Sequence, residues 1–407
     1  MSSSLTVVIV GNGVAGVTAA RIIKEKNPKA LVSIYTDESY QYYPRPRLYE
    51  VLSGEIEPQD IYMFSEEWYR NKGIRVHLNK RVVNINLEQK EILQDDKTRV
   101  DYDKLILANG GHPFVPSING IKKTGVFTLR TIKDALTIKD YTKKTKKAIV
   151  IGGGLQGLEF ATSLKRLMQQ VIVVELFPRL LPKQLDNEGA TILKNHINSR
   201  GIEIVLGKKV VEVLGKNKVS GILLDNGESI HGDIVLFSAG IRSNTELASE
   251  AGITVNRGLI VDRHMLTSSE DIYAIGDVTE FEGTTYGIIP AAMEQARIAV
   301  ENILGNDKSV YTGTTNSNTL NVIDLDLTSI GLVNPDDPKY EEIKESDEKK
   351  GIYKKLVLEK GKIVGAILLG DKKGVTSINR LIAQETDITK HKSLILKDNF
   401  DYKKVAA

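Results

Sequence analysis

Val7-Val8-Ile9-Val10-Gly11-Asn12-Gly13-Val14-Ala15-Gly16 and Ala148-Ile149-Val150-Ile151-Gly152-Gly153-Gly154-Leu155-Gln156-Gly157 are two copies of one pattern. Each opens with a short Val- and Ile-rich run, the composition of a parallel strand buried on both faces. Each then passes through G-x-G-x-x-G into a stretch that reads as a helix. Gly11 and Gly152 make the tight turn off the strand, while Gly13 and Gly154 let backbone approach a pyrophosphate. Gly16 and Gly157 let the helix pack closely on the strand, so that its N-terminal N–H groups face the phosphates. A single such loop is weak evidence, because small-residue turns join strands to helices for structural reasons alone. The discriminating feature is a carboxylate at the end of the next strand, about 20 residues on, placed to accept hydrogen bonds from a ribose. Asp37 follows Val32-Ser33-Ile34-Tyr35, and Glu175 follows Val171-Ile172-Val173-Val174. Both copies carry it.

The repeat extends beyond the loops. Strand-like runs at Arg75–Leu78 and Val82–Ile85 lead to Lys104-Leu105-Ile106-Leu107-Ala108-Asn109-Gly110, an apolar strand ending in small residues. The second unit closes in the same way, with Ile234-Val235-Leu236-Phe237-Ser238-Ala239-Gly240. One more buried strand, Ile272-Tyr273-Ala274-Ile275, runs into Gly276-Asp277, and a helix opens at Pro290-Ala291-Ala292 with proline in its first turn. From Asn316 the texture changes to alternating strands, with a hairpin turn expected at Lys360-Gly361-Lys362. The charge-rich stretch Asp336 to Lys350 reads as a solvated loop, and Lys397 to Ala407 as a frayed tail. His112 and His264 read as loop residues with no triad or metal grouping.

The expected fold is therefore α/β: two Rossmann-like dinucleotide-binding domains plus a small α+β C-terminal domain. Residues 1–114 and 241–314 form a discontinuous first domain, 115–240 the second, and 315–407 an interface or acceptor-docking domain. Two dinucleotides in one chain are most economically explained by electron transfer between a nicotinamide and a flavin.

Composition narrows the chemistry. The 407 residues contain no cysteine, so no redox disulfide, catalytic thiol or thiolate-bound iron–sulfur cluster can form on this chain. A formal net charge of +3 is too small to argue for nucleic acid and is compatible with a small acidic protein partner. No long uncharged apolar span or secretory leader is legible, which makes the cytoplasm the expected location.

The two glycine loops, Tyr43-Pro44-Arg45-Pro46, Leu107-Ala108-Asn109-Gly110, Tyr273-Ala274-Ile275-Gly276-Asp277 and Glu294-Gln295-Ala296-Arg297 together resemble the FAD-dependent pyridine nucleotide-disulfide oxidoreductase class. Within it the chain is most similar to the cysteine-free branch, which contains NADH:rubredoxin reductases, ferredoxin reductases and the flavin domain of nitrite reductases. The tail from Tyr353 to Asp371 looks like the C-terminal domain of the rubredoxin and nitrite reductase members.

The resemblance implies FAD at the first loop, with Gly11, Gly13 and Gly16 at the pyrophosphate and Asp37 on the adenosine ribose. It places Arg45 beside the flavin, the Val82 backbone at adenine, Ala108-Asn109-Gly110 along the site and Asp277, after Gly276, on the ribityl chain. Pro290, Ala291 and Ala292 would aim helix N–H groups at the flavin N1–C2=O edge. The second loop would hold NADH through Gly152, Gly154 and Gly157, with Gly240 at the closing strand. Glu175 would bind the ribose and disfavour a 2′-phosphate. Glu159 matches a glutamate near the nicotinamide carboxamide and is the candidate catalytic residue. Two positions depart from the family: Asn109 stands where Thr is usual, and Glu50 where oxygenase-coupled ferredoxin reductases place a lysine near flavin N5. The implied activity is NADH oxidation through FAD, with electrons passed to a rubredoxin- or ferredoxin-like partner, in a chain that can form a homodimer. A hydrogen peroxide-forming NADH oxidase and an NADH-binding redox sensor are the alternatives.

Overall fold

The computed structural model describes residues 4–306, 308–315, 317–322, 324–397 and 399–405. Its centre is a pair of five-stranded parallel sheets built to one plan. In the first, Thr6–Val10 lies between Leu31–Tyr35 and Lys104–Leu107, with Ile74–His77 and Ile272–Ala274 outside them. In the second, Lys147–Ile151 lies between Gln170–Glu175 and Ile234–Phe237, with Ile202–Leu206 and Val126–Phe127 outside. Val7, Val8 and Ile9, like Ala148, Ile149 and Val150, are wholly buried, which is why both runs are continuously apolar rather than alternating.

In each sheet the chain leaves the middle strand towards one side and later returns to the other. That reversal opens a crevice at the carboxyl ends of the strands, where the glycine loops sit. The helices after the loops, Val14–Lys26 and Leu155–Leu167, pack back on their own strands. Helix Ile289–Ile303 covers the first of them, presenting Ala292, Ala296 and Ala299 to the core. The first sheet thus takes its last strand and a covering helix from beyond the whole second unit. Where the chain crosses between units, Gly111–Pro113 pairs antiparallel with Ile241–Ser243, so the outgoing and returning segments form a double link. His112 accordingly lies in a strand rather than a loop: its backbone is paired with Arg242 and its ring meets Asn244 at 2.7 Å. His264 is in a turn, held by Asn302.

The C-terminal sheet is antiparallel, in the order Ser317–Val322, Leu325–Gly331, Lys362–Leu369, Ile352–Glu359, Glu341–Asp347. Its hairpin turns on Lys360 and Gly361, with φ of 49° and 80°, the paired left-handed conformation of a two-residue turn that follows strand twist. One face buries Leu327, Tyr353, Ile367 and Leu369 in the core of the second nucleotide unit. The other is covered by helix Val375–Ala383 through Ile378 and Leu381.

Two further expectations from the sequence need correction. The charged stretch is not a loop throughout, since Glu341–Asp347 is the edge strand of this sheet. Its charges are compatible with a strand because an edge has a solvated side, and because Glu342 reaches Lys355 across the ladder at 2.6 Å. The tail is not wholly frayed either. Tyr402–Val405 forms a 3-10 turn, Tyr402 donates to the carbonyl of Ile395 at 3.1 Å, and Val405 is buried against the domain core. Asp398, Ala406 and Ala407, which complete that tail, lie outside the described residues.

Candidate flavin and nicotinamide nucleotide sites

A groove of about 850 Å³ runs along the carboxyl edge of the first sheet. It passes from Asp37, Arg81 and Val82 over the Gly11–Gly13 loop to Asn109, Gly110, Arg130 and Asp277. It ends at Ile288, Ile289 and Ala292, where the covering helix begins. The loop shape depends on glycine at its turn: Gly11 has φ +113°, and a Cβ there would stand 2.2 Å from the Ala108 carbonyl oxygen. A Cβ on Gly16 would meet the Gly11 carbonyl at 2.1 Å, so the helix can sit this close only without one. At Gly13 a Cβ would meet nothing within 4 Å, because that position faces the open groove.

The groove wall carries polar atoms that the protein itself does not satisfy. Both side-chain atoms of Asn12, Oδ1 of Asn109 and Nε of Arg130 are buried without a partner. Buried polar atoms are almost always paired, so their clustering on one wall fits a long ligand with phosphates and hydroxyls, as FAD has. Asn109 itself is fixed from behind, its Nδ2 donating to the Asn244 carbonyl at 2.9 Å while Asn244 Nδ2 returns a bond to the Asn109 carbonyl at 2.7 Å.

Charge is organised around Arg130. Its Nη2 meets Asp277 Oδ2 at 2.8 Å, both side chains being mostly buried. Arg45 donates to the Arg130 carbonyl and pairs with Glu38 at 2.7 Å. Tyr43 donates to the same Glu38, and burial pushes its phenol well above the ordinary tyrosine range. The helix at Ile289 has no side-chain cap, which leaves first-turn N–H groups available to a ligand. Ala292 lines the groove, whereas Pro290 is exposed at the helix start and Ala291 packs behind it. Gly276 is held by its N–H donating to Gln295 Oε1 at 2.8 Å.

In the second unit Gly152 repeats the turn, with φ +115° and a Cβ position 2.2 Å from the Ser238 carbonyl oxygen. Gly157 lies as close to the Gly152 carbonyl, and Gly154 and Gly240 face open space. Glu175 is buried at the end of its strand. Its carboxylate accepts from the Gly153 N–H and from the Phe177 N–H, the latter at 2.8 Å. It therefore braces the glycine loop while its remaining lone pairs stay available. Leu176 and Phe177, just beyond it, are more than half exposed. Arg179 turns away into its own loop, donating to the Pro182 carbonyl at 3.3 Å. Glu159 sits on the first turns of helix Leu155–Leu167, where burial pushes its carboxyl up to about 7; Tyr49 of helix Leu48–Ser53 packs on the same helix through the Phe160 ring and accepts from Ser163 Oγ at its carbonyl. Glu50 forms a fork with Arg47 at 2.8 and 2.9 Å and does not line the groove.

The structure thus brings Gly11, Gly13, Asp37, Arg45, Val82, Ala108, Asn109, Gly110, Gly276, Asp277 and Ala292 onto one groove, with Gly16 beneath it. Glu159, Glu175 and the second set of glycines belong to the adjoining unit. Sequence reading misses Asn12, Arg130 and Gln156, all of which line the groove. Arg130 carries a local signal: Thr131 and Asp134 form a capping box, and Asp134 also accepts from the Arg130 N–H at 3.0 Å, so the arginine stands at a fixed helix entrance. Among the described residues no group of His, Cys, Asp or Glu is arranged to hold a metal ion, and no helix is long and apolar enough to cross a membrane.

Two nucleotide folds whose glycine loops adjoin at a shared seam, one facing a groove sized for a dinucleotide, define a two-dinucleotide flavoprotein binding FAD and NAD(H). The pyridine nucleotide-disulphide oxidoreductase family matches residues 5–302, and the rubredoxin NAD+ reductase C-terminal domain matches residues 317–386. The chain belongs to that oxidoreductase family. It is 38% identical over 383 residues to a nitrite reductase [NAD(P)H] of Bacillus subtilis (strain 168), covering 94% of this chain and 48% of the relative. It is 32% identical over 309 residues to a rubredoxin-NAD(+) reductase of Ectopseudomonas oleovorans, covering 74% of this chain and 80% of the relative. The ferredoxin reductase for the CYP199A2 system from Rhodopseudomonas palustris superposes with a TM-score of 0.87 at 26% identity, covering 99% of this chain and 100% of that one. The chain spans about half the length of the nitrite reductase relatives it matches.

Proposed function

We propose that this chain oxidises NADH through bound FAD and passes the electrons to a small acidic redox protein of the rubredoxin or ferredoxin kind. One observation carries the reading: Gln156, on the helix of the second glycine loop, forms part of the wall of the first groove. A nicotinamide held by the second unit is thereby brought against a flavin held by the first. FAD, when bound, supplies the hydride acceptor and releases electrons singly to a one-electron partner. The protein's part is orientation and electrostatics. Gly11, Gly13 and Gly16 would hold the FAD pyrophosphate, Asp37 and Val82 the adenosine end, and Arg45, Ala108, Asn109, Gly110, Gly276 and Asp277 the ribityl and flavin end. The uncapped helix start at Pro290, Ala291 and Ala292 would favour negative charge on the reduced ring. Gly152, Gly154, Gly157 and Gly240 would hold NADH, with Glu159 accepting from the nicotinamide carboxamide. In this reading residues 1–114 and 241–314 bind FAD, 115–240 bind NADH, and 315–407 serve the acceptor or a second copy of the chain. Dependence on NADH, a product of central metabolism, favours the cytoplasm.

Anaerobic stopped-flow mixing of the FAD-loaded protein with NADH tests the reading. Bleaching of the oxidised flavin band within a second, then rapid reoxidation by rubredoxin or ferredoxin, is the expected result. Fast reoxidation by air alone would move the assignment to a peroxide-forming oxidase. Reduction over minutes, ending in a long-lived complex, would replace both with a sensor.

Glu175 gives a second expectation. A carboxylate bound to both ribose hydroxyls repels a 2′-phosphate, so Glu175→Ala should lower the NADH-over-NADPH ratio of kcat/KM by about tenfold or more, equivalent to about 1.4 kcal/mol. An unchanged ratio would show that Glu175 only braces the loop through Gly153 and Phe177.

A further inference from the structure

Residues 176–186 lead from the end of the Glu175 strand to Asp186, which caps helix Asn187–Ser199 by accepting from the Gly189 N–H at 3.0 Å. Midway, this segment leans on the second glycine loop. The Leu181 N–H donates to the Gly153 carbonyl at 3.3 Å, and Leu180 Cδ2 stands 2.7 Å from where a Cβ on Gly153 would be. Leu181 holds φ 48°, a left-handed conformation that leucine keeps only where its surroundings impose it. Gly153 is thus gripped from two sides, by the Glu175 carboxylate at its N–H and by Leu181 at its carbonyl.

The far end of the segment is fastened to the C-terminal domain. Asn334 Nδ2 donates to the Pro182 carbonyl at 3.2 Å and to the Leu185 carbonyl at 3.1 Å. Tyr353 donates its hydroxyl to Asp186. Lys355, whose side chain is 2% exposed, pairs with Asp186 at 3.2 Å and with Glu342 at 2.6 Å. Leu180, Leu181 and Leu185 share one core with Val333 and Tyr353. A buried charge that loses its partner is costly, so the Lys355–Asp186 contact resists any sliding of the C-terminal sheet on the nucleotide unit.

We propose that Asn334, Tyr353 and Lys355 are positioning residues of the nicotinamide nucleotide site: by anchoring residues 182–186 they keep Leu181 on Gly153, so that the C-terminal domain sets affinity for NADH through the glycine loop. The inference rests on the reading that the second glycine loop holds NADH. Without the anchor the segment leaves Gly153 in a fraction of the molecules. The nucleotide then binds tightly only to those with the loop in place, and its apparent affinity falls by that fraction.

Isothermal titration of the FAD-loaded full chain with NAD+, which binds without reacting, reads the effect. Asn334→Ala removes both bonds to the segment and should raise Kd for NAD+ about five- to tenfold. Tyr353→Phe keeps the ring in the core and removes only the hydroxyl, so it should unfold at the parent temperature and raise Kd about two- to threefold. In both variants FAD content and the limiting rate of flavin reduction at saturating NADH should stay at parent values, because bound nucleotide draws the segment back. Leu381→Ala, which loosens the C-terminal domain on the opposite face of its sheet, should leave Kd unchanged. A rise in Leu381→Ala equal to that in Asn334→Ala would reduce the effect to general loosening and overturn the proposal. Gly152→Ala, titrated alongside, tests the underlying reading. If it binds NAD+ as tightly as the parent, the second loop is not the nucleotide site. If it binds weakly while Asn334→Ala and Tyr353→Phe bind normally, the role of the C-terminal domain alone falls.

Discussion

Gly152→Ala should yield a yellow protein that NADH reduces about 100-fold more slowly or worse. The first glycine of the second loop holds φ +115°, and an added Cβ would stand 2.2 Å from the Ser238 carbonyl oxygen. Relief requires the strand–helix turn to move, and with it the N–H groups that face the pyrophosphate. A rigid site displaced by about an ångström loses about two orders of magnitude in rate, so flavin reduction by NADH should fall about 100-fold or more. The flavin groove is built from other segments and should keep its cofactor. Gly11→Ala is the mirror experiment, with φ +113° and a Cβ position 2.2 Å from the Ala108 carbonyl oxygen, and it should yield colourless protein. Absorbance at the flavin band and stopped-flow reduction separate the two outcomes. If Gly152→Ala loses flavin and Gly11→Ala loses only NADH, the two sites have been assigned the wrong way round.

Arg130→Ala should release FAD. The guanidinium pairs with Asp277 at 2.8 Å, its Nε is buried without a protein partner, and its carbonyl receives Arg45. Truncation leaves Asp277 without its counter-charge in a site where its own side chain is only 24% exposed. Breaking a buried pair typically costs about 3–5 kcal/mol, and the residual exposure of both partners reduces that through solvent screening. A loss of about 2–3 kcal/mol in FAD binding, or a rise in Kd of about 30- to 150-fold, is the expected result. Equilibrium dialysis measures it. Arg130→Lys should recover little, since a single ammonium cannot replace the guanidinium fork. Unchanged affinity in Arg130→Ala would mean that the arginine serves only the crossing between the units.

The features legible in the sequence are those carried by local rules. Two continuous Val and Ile runs, each turning on glycines and each followed by a carboxylate at the next strand's end, specify two nucleotide folds without reference to anything distant. Lys360-Gly361 shows the same economy, because a two-residue turn needs only backbone that tolerates positive φ. The edge strand Glu341–Asp347 reads as a loop for the converse reason. Its charges look solvated in isolation and become compatible with a strand only beside Lys355. The end of the chain behaves alike: Tyr402 and Val405 are ordered by contacts with Ile395 and the domain core, which no local pattern announces.

Residue order alone specifies the fold class, the positions of both glycine loops, the acidic residues that follow them and the exclusion of thiol chemistry. Only the packed chain settles which residues of one unit face the other: Arg130 against Asp277, Gln156 in the wall of the first groove, and Tyr49 on Phe160. Loop chemistry is fixed by neighbours a few residues away, whereas these partners lie far apart along the chain. They meet because the chain leaves the first sheet, builds the second and returns, a crossing that no local pattern records.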